Sequence, residues 1–156
     1  KHFVDVFFST YKRLPVFHRE CGDKLIRNAG WFESVVGHRF FYEDWNHLDQ
    51  KRRDHAFRAH LNAHGQGPAA QICFSVLVQA RRLLDARGLR HVRFVNTVHD
   101  SLVAEVPQSV NVVNVVEIMQ EATALTYEWV KQWLIVPLVM EYKVGESWGS
   151  LEDYKL

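Results

Sequence analysis

Apolar positions along the chain change period several times, and each change marks an element. In residues 2–29, Phe3, Val6, Phe7, Tyr11, Leu14, Val16 and Phe17, then Leu25 and Ile26, recur at helical spacing. They predict two helices, or one helix bent at Pro15, closed by Gly30. "WFESVVGHRFFYED" alternates instead and is rich in aromatic and β-branched residues around Gly37, which predicts a hairpin over residues 31–42. The charged run "DQKRRDHAFRAHLNA" predicts a helix over about 50–64. "GQGP" should interrupt it, with Pro68 in the first turn of a second helix, where a missing N–H costs nothing. That helix carries Ala69, Ile72, Cys73, Val76, Ala80, Leu83 and Leu84 on one face and stops near Gly88. A hairpin over 92–106, a helix over 108–133 and a last strand "PLVMEYKV" complete the chain. The predicted class is α+β, an antiparallel sheet packed against helices.

Composition permits this. With 156 residues, 47% apolar and 13% aromatic, the chain has enough apolar mass for a core. The sequence has no internal repeat, no low-complexity segment, no run of the length a membrane span needs, and no cleavable leader pattern at "KHFVDVFFSTYKR". Cys21 and Cys73 lack metal-ligand spacing and read as small buried hydrophobes. Together these features suggest an intracellular protein without membrane partners. The first residue, Lys rather than Met, suggests a piece of a longer chain.

Charge changes the picture more. The formal net charge is +1, but residues 51–93 carry nine Lys and Arg against Asp54 and Asp85, while residues 101–156 carry three basic and eight acidic residues. A basic middle suits a face that neutralises phosphates, although a solvated helix surface would look the same. Arg58, Asn62 and Gln66 lie four apart and share a helical face, offering a guanidinium and two amides to phosphates, sugars and base edges.

The tip of the 92–106 hairpin is the strongest chemical candidate. Val92, Phe94, Asn96 and Val98 on one side and Leu102, Ala104 and Val106 on the other predict alternating faces that meet at His99 and Asp100. A carboxylate held on such a tip is a hard ligand for Mg²⁺, and nucleotidyl transfer commonly uses two such ions. Aspartate is also an ordinary turn residue, so the tip alone leaves both readings open. His55, His60 and His64 are spaced five and four apart with no thiol nearby in sequence, which argues against a zinc site. Glu105 and Glu141 fall in predicted strands, where either could assist a metal at the tip.

Taken together, "FRAHLNAHGQGPAAQI" (57–72) followed by "TVHDSLVAEV" (97–106) resembles the C-terminal part of the DNA polymerase I family, the family A enzymes. "GWFESVVGHRFFYED" (30–44) resembles the family's Gly-aromatic-x-x-Thr-x-x-Gly-Arg-Arg hairpin, and "VPLVMEYKVGESW" (136–148) its final strand and Gly-x-x-Trp ending. The resemblance implies that residues 1–156 are a palm and part-fingers segment, with a primer–template-binding helix pair at 57–88 and a catalytic hairpin at 92–106. Asp100 falls on the palm aspartate that binds the catalytic metals, and His99 on the histidine near the primer terminus. Arg58, Asn62 and Gln66 fall on DNA-contacting positions, and Arg39 on the second Arg of the Gly-Arg-Arg element, with His38 in place of the first. The helix over 108–133 would cover the back of the palm sheet.

The implied activity is template-directed DNA synthesis from dNTPs on primer–template DNA with two Mg²⁺ ions, in a bacterial or phage-infected cytoplasm at the nucleoid. Two departures qualify it. Ser101 stands where the family usually has Glu, and "HDS" also occurs in single-subunit phage-type RNA polymerases. The family's other metal-binding aspartate and its nucleotide-binding helix have no counterpart here, so the remaining N-terminal part of the polymerase is an expected partner and the chain alone is expected to be inactive. The alternatives are a non-catalytic nucleic-acid-binding subunit with a palm fold and a segment of a phage-type RNA polymerase.

Overall fold

The break that separates the first two helices precedes the proline expected to cause it. The computed structural model describes residues 2–156, and its first helix, α1 (His2–Thr10), ends before Tyr11 while α2 covers Arg13–Arg27. Pro15 is the third residue of α2, where backbone N–H groups have no intrahelical partner, so the ring is accommodated without a lost bond. The chain leaves α2 through Ala29 at φ 49 and Gly30 at φ 90.

Strands β1 (Trp31–Glu33) and β2 (Arg39–Phe41) form the predicted hairpin, with Trp31 opposite Phe41, Phe32 opposite Phe40 and Glu33 opposite Arg39. A 3₁₀ turn at Trp45–His47 leads into α3 (Gln50–Ala86).

The expected interruption at "GQGP" does not occur. Instead of a helix pair at 57–88, one helix of 37 residues runs through it with Pro68 inside. Pro68 removes one backbone bond and its ring crowds the carbonyl of residue 64, a cost of about 3 kcal/mol. Buried positions on both sides of it, Ala56 and His60 before and Val76, Ala80 and Leu84 after, hold the helix against that cost. Pro68 nevertheless marks a boundary, because the chain groups into two compact units, Lys1–Pro68 and Ala69–Leu156.

The core of the first unit includes Cys21, Leu25, Phe32, Ala56 and His60. Phe32 stacks on Phe40 with ring centroids 4.8 Å apart and meets His60 edge-on at 4.0 Å.

The second unit packs the C-terminal half of α3 and the helix α4 (Val112–Val130) around the hairpin of β3 (Arg93–Val98) and β4 (Ser101–Glu105). Asn111 caps α4, its side chain accepting from the Val113 N–H at 3.0 Å. One apolar cluster comprises Leu84, Val92, Val110, Val115 and Ile118, and a second Val76, Ala80, Met119 and Ala122; Leu83 and Phe94 pack against both.

The last predicted strand is shorter than expected. Only β5 (Tyr142–Val144) is extended and paired, with β6 (Glu152–Tyr154), which the apolar pattern does not announce. The class is α+β as expected, but the strands form three separate two-stranded antiparallel ladders rather than one sheet. Met140 and Tyr142 reach the second cluster through side-chain packing instead of a ladder with the hairpin.

Glycines test this arrangement. Gly30 sits at φ 90, and a Cβ there would lie 2.5 Å from the Trp45 side chain, whereas Gly37, at φ 80, faces open space. Gly30→Ala should therefore cost more than 2 kcal/mol, and Gly37→Ala about 1 kcal/mol from backbone strain alone, as read by chemical denaturation. Equal losses for the two would show that the packing of Trp45 over Gly30 is wrong.

Candidate functional site

The 93–105 hairpin places its tip differently from simple alternation. Phe94 pairs with Ala104, but Asn96 pairs with Val103 and Thr97 with Leu102, so Val95 is an extra residue in a β-bulge. Phe94 and Thr97 therefore share the face of Leu102 and Ala104, while the expected inward positions Asn96 and Val98 lie on the opposite face. The bulge re-aims the outer end of the hairpin relative to its base.

Val98 pairs with Ser101, which leaves His99 and Asp100 as a two-residue loop. His99 takes φ 56, the left-handed conformation. Histidine tolerates that region better than branched residues do, and the positive φ falls at the first loop position alone rather than at both, as an Asn-Gly turn would need. His99 and Asp100 are both exposed.

Asp100 lines a cavity of about 560 Å³ that also takes in Ser101, Leu102, Glu141, Tyr142 and Lys143. It borders a second cavity of about 230 Å³ with Cys73, Val76 and Met140. Burial pushes the Cys73 thiol up, and the Asp100 charge pushes it further in the same direction, so the two side chains share one electrostatic environment. Asp100 forms no side-chain hydrogen bond or ion pair among the described residues. Glu105, by contrast, is tied across the strands to Arg93 at 3.0 Å, away from the tip. Of the two glutamates considered, Glu141 alone shares the tip's cavity.

In the first unit, Arg58, Asn62 and Gln66 are all exposed on α3, and the Asn62 amide donates to the Gln66 side chain at 2.9 Å. Arg58 lines a cavity with Lys51, Arg52 and Asp49. Arg39 is committed to its own hairpin, its Nε donating to Glu33 at 2.7 Å and its guanidinium 5.7 Å from the Trp31 ring centroid.

Much of the basic middle is neutralised by partners. Arg81 binds Asp85 at 2.8 Å and the Val92 carbonyl at 2.6 Å, Arg87 pairs with Glu121, and Arg93 with Glu105. Arg81 thus fastens the end of α3 to the start of the hairpin. Lys51, Arg53, Arg58 and Arg82 are the cations of the 51–93 stretch without an ion pair among the described residues.

Two of the three histidines, His60 and His64, do have a thiol beside them, contrary to the expectation from spacing. Helix α2 brings Cys21 to this pair, with ligand atoms of the thiol and both imidazoles within 4.8 Å of one another. His55 is not part of the group. Sequence spacing could not show it, since Cys21 and His60 are 39 positions apart.

Residues 1–150 match the profile of DNA polymerase family A. DNA polymerase I of Chloroflexus aurantiacus is 31% identical over 125 residues, 80% of this chain and 12% of that protein. DNA polymerase I of Borreliella burgdorferi is 27% identical over 153 residues, 97% of this chain and 16% of that protein. Among solved structures, the POL domain of Pol1 from M. smegmatis in complex with DNA primer–template and dNTP superposes with a TM-score of 0.67 at 26% identity, over 78% of this chain and 21% of that one. The chain therefore spans only 12% and 16% of the two curated relatives.

The tip conformation is directly testable. With His99 at φ 56, His99→Gly should stabilise the protein by up to about 1 kcal/mol and His99→Val should destabilise it by more than 1 kcal/mol in thermal unfolding. Equal midpoints for the two variants would exclude a left-handed residue at position 99.

Proposed function

The chain belongs to DNA polymerase family A, and from that premise we propose that it supplies the C-terminal palm portion of a DNA-directed DNA polymerase, with Asp100 as one carboxylate of the metal site. The observation that carries this reading is the hairpin tip: a two-residue loop holds an exposed carboxylate, unpartnered among the described residues, at the edge of a cavity of about 560 Å³. The structural relative was solved with DNA primer–template and dNTP, which supports the same partners here.

The residues at the tip fit a hard divalent cation. Mg²⁺ takes one or two carboxylates together with substrate phosphates, and Asp100, with Glu141 on the same cavity, offers oxygen donors and no soft ligand other than the nearby Cys73 thiol, which burial keeps protonated. When bound, such ions lower the pKa of the attacking hydroxyl and stabilise the leaving oxygen. The reaction is attack of a primer 3′-hydroxyl on the α-phosphorus of a dNTP, with release of pyrophosphate.

The chain's own groups then have distinct tasks. Asp100 holds its carboxylate in place without having to give up another partner. His99 reaches solvent from the same loop, from which it would approach the primer terminus. Arg58, Asn62 and Gln66 present donors and acceptors along one exposed face, suited to phosphates and to minor-groove acceptors that are nearly the same for every base pair. Arg39 would meet DNA while Nε stays on Glu33, which makes it a weaker contributor than the α3 stripe.

Organising two ions takes more than the Asp100 and Glu141 carboxylates of this cavity, so the reaction draws a further one from polymerase residues outside these 156. Ser101 leaves a second acid absent from the tip and favours, as the competing reading, a palm that binds nucleic acid without chemistry.

Asp100→Asn, made in the polymerase assembled with its upstream portion, separates these readings. Primer extension should fall by at least about 100-fold while DNA affinity stays within a few-fold or rises, since a negative charge near phosphates is removed. Undiminished extension would remove Asp100 from the metal site. Template-directed extension by the 156-residue chain alone would refute the need for an outside carboxylate.

A further inference from the structure

The Cys21, His60 and His64 cluster lies within the first unit and shares no residue with the proposed polymerase chemistry. Cys21 comes from α2, and the two histidines, four residues apart, come from one face of α3. Cys21 is 5% exposed and His60 is fully buried.

His60 Nε2 lies 3.1 Å from the Cys21 backbone carbonyl. A carbonyl can only accept, so Nε2 carries the proton and Nδ1 keeps its lone pair. That Nδ1 is buried without a partner among the described residues, and so is Nε2 of His64. Two buried ring nitrogens without partners are costly, and native proteins rarely leave them so. The surrounding rings of Phe17 and Phe32 offer neither nitrogen a conventional hydrogen bond.

We infer that Cys21, His60 and His64 form a Zn²⁺ site that clasps α2 to α3, with a fourth position left for a water or another small ligand. A thiolate with two imidazoles selects a borderline-soft ion such as Zn²⁺ over Mg²⁺. The His60 N–H to a backbone carbonyl is the arrangement that fixes a metal-binding imidazole in its tautomer. Bonds of about 2.0–2.3 Å place donor atoms roughly 3.3–3.7 Å apart on a tetrahedron, so the cluster, with donors within 4.8 Å, closes by small side-chain rotations.

Burial lowers the His60 pKa to about 4 and lowers that of His64, so both imidazoles stay neutral near pH 7. Burial also raises the Cys21 thiol. Binding therefore releases its proton to solvent as the sulfur–zinc bond forms, one proton per ion. The nearby Lys24 ammonium opposes a dication, and the thiolate's negative charge offsets it.

The test uses the purified protein, stripped with a chelator and titrated with Co²⁺ and then Zn²⁺. One Co²⁺ should bind per chain with intense visible ligand-field bands and a near-ultraviolet thiolate-to-cobalt charge-transfer band, both displaced by Zn²⁺ with a dissociation constant below about 1 µM. Cys21→Ser should abolish the charge-transfer band and weaken Zn²⁺ binding by more than about 100-fold, beyond the loss expected of an outer-shell partner. His64→Gln should weaken it comparably. Folded wild-type protein that shows no charge-transfer band, or binding that Cys21→Ser leaves unchanged, would overturn the site and make the cluster an imidazole and aromatic core. The wild-type spectrum alone decides this if a variant fails to fold, and neither result bears on Asp100.

Discussion

Phe94 packs against both apolar clusters of the second unit, and the position of the hairpin tip depends on that contact. One cluster lies toward the end of α3 and the loop into α4, the other between the C-terminal half of α3 and the middle of α4, and Leu83 bridges them with Phe94. An aromatic ring anchored at two places resists both sliding and rotation of the strand that carries it. Arg81 adds a polar fastening at the same end, through the Val92 carbonyl one residue before β3. The base of the hairpin is thus held firmly, and its tip extends from that base as a short lever.

What the tip presents follows from two local devices. The bulge at Val95 shifts the register so that Thr97, not Asn96 or Val98, shares the face of Phe94, Leu102 and Ala104. The left-handed His99 then closes the loop in two residues, and Asp100 has no side-chain partner among the described residues. Under the proposed function, such a carboxylate would be available to an ion, and the shared cavity would give room for a substrate phosphate beside it. Charges on and beside the base of the hairpin are paired within the chain, Arg87 with Glu121 and Arg93 with Glu105.

Much of this was legible in the sequence because it rests on period. The alternation around Gly37 and that around His99 gave both hairpins, and the 3.6 period gave α2 and α4. Pro68 was misleading because proline's local rule competes with burial on both sides of it, and burial won over a helix of 37 residues. The bulge was illegible because one extra residue in a strand leaves no compositional trace. Strand β6 was missed because "EDY" is short and polar, and it forms by pairing rather than by propensity. The Cys21 cluster is invisible to sequence spacing because folding brings His60 and His64 to it from 39 and 43 positions away.

The measurement that bears most directly on the tip is the metal preference of Asp100→Cys in the assembled polymerase. Replacing a hard oxygen with a thiolate should remove most Mg²⁺-supported extension and restore part of it with Mn²⁺, so that the Mn²⁺ to Mg²⁺ activity ratio rises by at least about 10-fold over the wild type. A ratio equal to that of the wild type would contradict a metal-binding role for Asp100.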